Sequence, residues 1–146
     1  MTFDPAAAYR TTQITTASPA ARVVLLYQGA IRQALANVAA LERRDIPAAH
    51  AASVRAQEIV VALRGALDHS VGPIAGQLDQ LYAFMLDRLV AGNVAKDPQP
   101  AREVLGMLRE LLPAWQAAAA QSPSPTPVHP APPARNAAGT AAVPGV

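Results

Sequence analysis

Three histidines, at positions 50, 69 and 129, are the side chains of this 146-residue chain best suited to bind a metal or accept a phosphoryl group. A carboxylate-bridged di-iron centre in a helical bundle needs Glu-x-x-His pairs facing inward. The residues three before His50 and His69 are Pro47 and Ala66, so that pairing is absent. His50 falls among alanines in the first turn of a predicted helix and reads as a boundary histidine. A phosphate-accepting role for it has no supporting groups nearby. His69 falls in a loop and His129 in a Pro/Ala-rich tail. The carboxylates, Glu42, Asp45, Glu58, Asp68, Asp79, Asp87, Asp97, Glu103 and Glu110 among them, are scattered between arginines, and Asp79, Asp87 and Glu103 read as a solvated surface. There is no Gly-rich phosphate loop and no Gly-x-Ser-x-Gly elbow. There is also no cysteine, which excludes disulfides, thiol catalysis and thiolate zinc sites. The pattern argues against an enzyme and calls for no cofactor or metal.

The bulk charge points the same way. A net charge of +2 without a Lys/Arg cluster predicts neither nucleic-acid binding nor attachment to an anionic membrane. Arg22, Arg32, Arg64 and Arg88 interrupt the apolar runs, so no membrane insertion is expected. The start, MTFDPAAAYR, lacks the basic-then-apolar run of a secretory signal. A cytoplasmic location is the expectation.

What the sequence does offer is helical apolar periodicity. Ser18 can cap a helix and Pro19 suits its first position. Val24, Tyr27, Ile31, Ala34, Val38 and Leu41 then recur at three- and four-residue steps on one seam, widened by Val23, Leu26 and Ala30. The spacing predicts helices over about 19–44, 47–67, 73–94 and 98–120. The second helix points Ala52, Ala56, Ile59 or Val60, Leu63 and Leu67 inward. The third presents Ile74, Leu78, Leu81, Met85 and Leu89, with Tyr82, Phe84 and Leu86 off the seam. The fourth presents Val104, Leu105, Leu108, Leu111, Leu112 and Trp115. Pro113 inside it predicts a kink or a loosely held last turn. Short connections predict an all-α, antiparallel four-helix bundle over 18–120. Residues 1–17 read either as a frayed terminus or as an arm docking Tyr9 and Ile14. Residues 121–146 are low-complexity and read as a disordered tail.

Helices one and three carry more apolar positions than one seam uses. Either the bundle core consumes them all, or an exposed groove remains to receive another protein's amphipathic helix.

Four fragments, in this order and spacing, resemble the FliS family of flagellin-specific export chaperones. They are Ala8-Tyr9 with Thr16-Ala17-Ser18-Pro19; Leu26-Tyr27-Gln28-Gly29-Ala30-Ile31; Arg55-Ala56-Gln57-Glu58-Ile59-Val60 with Leu67-Asp68; and Leu81-Tyr82-Ala83-Phe84-Met85 with Arg88-Leu89, followed by Glu103 to Leu111 and Trp115. The likeness covers about residues 6–118. It implies a non-enzymatic cytoplasmic chaperone that binds the disordered C-terminal segment of flagellin, blocks premature polymerisation and keeps the subunit competent for flagellar secretion. Components of the flagellar export apparatus are further implied partners. Carried over by position, the client-binding residues are Val23, Leu26, Tyr27, Ala30 and Ile59, and the arm residues are Tyr9 and Ile14. On that reading, Tyr27→Asp weakens client binding more than it harms the fold. Gln28 departs from the acidic residue usual in the family, and the resemblance assigns no role to Pro113 or the long Pro/Ala tail. The runner-up is a structural bundle that self-associates without a client.

Overall fold

The computed structural model describes residues 18–121, and its first three helices begin at capping residues and prolines written in the chain. Helix α1 (Pro19–Glu42) is capped by the Ser18 hydroxyl, which accepts from the Ala21 amide at 3.2 Å. It ends short of Arg44, whose φ of 64° turns the backbone out of the helix. Asp45 then caps α2 (Ile46–Gly65) through the Ala48 amide, with Pro47 in its first turn. A short 3₁₀ turn, His69–Val71, leads to Gly72, and its φ of 119° is open to glycine far more readily than to other residues. Helix α3 (Pro73–Ala95) closes on a left-handed Lys96. Helix α4 (Gln99–Gln121) follows after a tight turn.

The contacts between helices define an antiparallel ring. Helix α1 lies between α2 and α4, with Gln33 meeting Arg55 on one side and Glu42 meeting Arg102 on the other. Helix α2 reaches α3 through Arg64 and Asp79, and α3 reaches α4 through Arg88 and Glu103. Asp79 and Glu103, read from the sequence as part of a solvated surface, are partly exposed, and each pairs with an arginine of a neighbouring helix. Among the described residues no helix is long and apolar enough to cross a membrane. The arm over 1–17 and the tail from 122 onward lie outside the described residues, while Gln121 closes α4.

The core is assembled mainly from small side chains. Ala30, Ala34, Ala49, Ala52, Ala56, Ala75 and Ala101 are buried at helix contacts, which brings the backbones close together. Larger groups fill what remains: Val60, Leu63, Met85, Val104 and Leu108, with Tyr27 and Tyr82 at the centre.

The buried seams differ in detail from those expected. On α1 the sealed line runs through Val23, Tyr27, Ala30, Ala34, Asn37 and Leu41, while Val24, Ile31 and Val38 are half-buried beside it. The shift follows from the ring: α1 packs between two neighbours, so its most enclosed line faces the bundle axis. On α3, Tyr82 belongs to the core and Ile74 is 52% exposed, the reverse of the sequence reading. Tyr82 falls three residues before Met85 and seven before Leu89, so it shares their line. On α4, Pro113 does not end the helix, which continues to Gln121. The proline still removes one backbone hydrogen bond and crowds the Arg109 carbonyl, a cost of about 3 kcal/mol for an interior position.

Candidate functional site

The five residues expected to meet a client lie in one half of the bundle, where α1 begins and α2 ends. They are not equally open. Tyr27 is 0% exposed and Ala30 is equally enclosed; Val23 is buried, whereas Leu26 and Ile59 are half-buried against the core. Ile59 packs at Gly29 of α1, where an added methyl group would stand 3.3 Å from its Cδ1. The missing side chain at Gly29 is what lets α1 and α2 come together there. Tyr9 and Ile14 lie outside the described residues.

Tyr27 anchors an aromatic cluster that joins three helices. Its hydroxyl is 2.7 Å from that of Tyr82 on α3, across the diagonal of the ring. The two rings meet edge to face, with centroids 6.3 Å apart and planes 69° apart. Such a pair adds about 0.5–1.5 kcal/mol beyond the area it buries. On the other side Trp115 of α4 stands 6.3 Å from Tyr27, tilted by 43°. Burial raises the pKa of the Tyr27 phenol, offset in part by its hydrogen bonds with Tyr82 and Trp115. Burial pushes Tyr82 still higher, and its hydrogen bond to Tyr27 adds to the shift. Both phenols are therefore neutral at any physiological pH and act as hydrogen-bonding apolar groups rather than as acids.

The burial of Tyr27 revises the expected effect of an aspartate there. A carboxylate at a fully enclosed position loses its hydration with no partner, so Tyr27→Asp breaks the core before it reports on binding. Tyr82 was set aside in the sequence reading, although its spacing from Met85 and Leu89 carried the signal. The diagonal hydrogen bond had no local signature, because its partners are separated by most of two helices.

Around this half the flanks remain partly open. Leu26, Leu67, Leu78, Leu81, Leu111 and Leu112 pack on the core with one side accessible. Leu25, Val61, Val71 and Ile74 are exposed. At mid-height Phe84 is 49% exposed. Among the described residues there is no cluster of three or more His, Asp or Glu side chains arranged for a metal. The surface is apolar and non-polarising, suited to contact rather than to bond-making.

Comparison with known proteins gives this arrangement its context. The family pattern described as flagellar protein FliS matches residues 2–122. The chain belongs to the FliS family. It is 36% identical over 104 residues to the flagellar secretion chaperone FliS of Vibrio cholerae, covering 70% of this chain and 76% of that protein. It is equally similar, over 104 residues, to the flagellar secretion chaperone FliSB of Pseudomonas aeruginosa, covering 70% of this chain and 82% of the relative. The flagellar secretion chaperone FliS of Bacillus subtilis is 26% identical over 115 residues, covering 79% and 86%. These FliS relatives are named for a chaperone's task and not for a reaction, and the family is not one of enzymes.

Proposed function

We infer that this chain is a flagellar export chaperone whose client is the disordered C-terminal segment of flagellin, bound in the cytoplasm before secretion. The client folds into helices along the half of the bundle that holds Val23, Leu26, Tyr27, Ala30 and Ile59. Binding hides the segment that would otherwise polymerise and holds the subunit unfolded enough to be exported.

The observation that supports this reading is the match to the FliS family over residues 2–122, together with half-buried leucines on the flanks of an otherwise closed core. The physics is compatible. A segment that folds on binding loses ordering entropy, so it needs a long apolar contact rather than a deep pocket. Half-buried residues such as Leu26, Leu111 and Leu112 can lose further exposed area without any rearrangement of the interior.

Calorimetric titration of the full chain with a synthetic peptide from the C-terminal end of a flagellin tests the proposal. Saturable binding of one peptide per chain is the expected result, with a negative heat-capacity change from apolar burial. Absence of binding, with light scattering showing only self-association of the chain, would contradict it and favour the client-free bundle.

A further inference from the structure

We propose that residues 113–121 of α4 form a hinged cover over Tyr27, latched by Trp115 and lifted when the client binds. The identity of what enters rests on the function proposed above; the hinge does not.

Helix α4 changes character along its length. Pro100, Ala101, Val104, Leu105 and Leu108 are all buried. Beyond Leu108 no residue of the helix is: Leu111, Leu112, Trp115, Ala118 and Ala119 are half-buried and the others exposed. The first part is built into the core and the second lies on it.

Pro113 sits just inside the second part. Having no amide hydrogen, it leaves the Arg109 carbonyl without its helical partner, and its ring crowds that carbonyl. The helix is therefore most weakly joined to itself where its side-chain burial is already falling. Proline is also among the recognised causes of bending in a helix that otherwise continues.

Past the proline, Trp115 is the one large side chain in a run of alanines and glutamines. It rests on the Tyr27 ring at 6.3 Å. Since Tyr27 is wholly enclosed, it can touch another chain only after part of its enclosure moves. Rotation about Pro113 carries the indole away and uncovers the Tyr27 ring, still fixed by its hydroxyl contact with Tyr82. An amphipathic helix bringing a leucine or an aromatic residue can then take the place of the indole. Trp115 is in this sense the chain's own stand-in for the client.

The chain has one tryptophan, so its emission reports the latch directly. In the free full-length protein, amide hydrogen exchange should be several-fold faster over 114–121 than over 101–108. Pro113→Ala should slow the former and leave the latter unchanged. Equal protection on both sides of Pro113, or no effect of the substitution, would overturn the hinge without any client present. On titration with the flagellin C-terminal peptide, Trp115 emission should shift to the red. Pro113→Ala should slow association several-fold, and Trp115→Ala, checked for retained helicity, should tighten binding by removing the competitor. A peptide that binds with Trp115 emission unchanged, or that binds Trp115→Ala more weakly, would overturn the cover. Failure of every variant to bind would count against flagellin as the client, and the exchange data would still decide the hinge.

Discussion

The two ends of this bundle are closed by different means. At one end, where α1 finishes and α2 begins, polar side chains of one helix bond to backbone carbonyls of the next. The Asn37 amide donates to the Ala49 carbonyl at 2.8 Å, and Ser53 lies against the Leu89 carbonyl while accepting from Gln57. Gly92 lets α4 start against α3: a methyl group there would stand 2.9 Å from the Asp97 carbonyl oxygen and 3.1 Å from Pro100 Cβ. Ala40, Leu41 and Ala49 make a small second cluster beneath these ties. At the other end the interior is filled by Tyr27, Tyr82 and Trp115, and α4 is held by half-buried side chains beyond an internal proline. Exposed aliphatic residues do not separate the ends, since Leu35, Val90 and Val94 are as open as Leu25, Val61 and Ile74. The difference lies in attachment. One end is locked by hydrogen bonds to the backbone; the other is closed by the packing of aromatic and half-buried apolar side chains.

Substitutions can break that contrast or sharpen it. The largest effect is expected from Tyr27→Asp, where a carboxyl group driven to its neutral form in the aromatic cluster still costs roughly 2–7 kcal/mol as an unpartnered polar group. That is comparable with the whole stability of a domain this size, about 5–15 kcal/mol, and should abolish cooperative thermal unfolding followed by circular dichroism. A melt close to wild type would mean that the aromatic end is already open. Next comes Gly92→Ala at the locked end, where overpacking against backbone should cost about 1–3 kcal/mol in denaturant titration. Peptide binding by the folded variant should be unchanged, which would keep the two ends functionally distinct.

Tyr82→Phe should cost about 1 kcal/mol by removing one neutral hydrogen bond and leaving Tyr27 with Trp115 alone. It should also alter the alkaline limb of stability. Both phenols have raised pKa values in the folded chain, so their full contribution is present below the unfolded value near 10. It is lost as pH rises above that, because only the unfolded chain ionises. The variant, with one phenol fewer, should lose less stability between neutral and alkaline pH. The smallest effect is expected from Asp79→Asn. Hydrogen bonding from Arg64, 2.8 Å away, holds the Asp79 carboxyl below its usual pKa. Its contribution is therefore present above about pH 4 and is lost as pH falls through the depressed folded value. Acid titration of the variant should show a shallower fall in stability over that range.

Much of the architecture was readable in advance because its signals are local. Ser18-Pro19, Asp45-Ile46-Pro47 and Gly72-Pro73 mark helix starts through capping and fixed φ, and the apolar steps between them have helical period. The Arg64–Asp79 and Arg88–Glu103 pairs were hidden because they join different helices, and nothing in single-helix spacing brings them together. Gly92 carries no helical signal of its own, and its lack of a side chain makes the turn into α4 possible; that role exists only once Pro100 stands opposite. The candidate site was half legible. Val23, Leu26, Tyr27, Ala30 and Ile59 were picked out by the likeness of their sequence to the family, and they fall in one half of the bundle. Their unequal exposure could not be inferred, because it depends on Tyr82 and Trp115 arriving from α3 and α4.

The most direct test of this account is peptide-dependent hydrogen exchange mapped along the whole chain. With the flagellin C-terminal peptide bound, changes in protection should be concentrated at the start of α1, the end of α2 and residues 109–121 of α4. The locked end, around residues 37–53 and 89–104, should stay as it was. Changes centred on the locked end, or the same pattern with and without peptide, would contradict the assignment of the aromatic end as the place where a client is received.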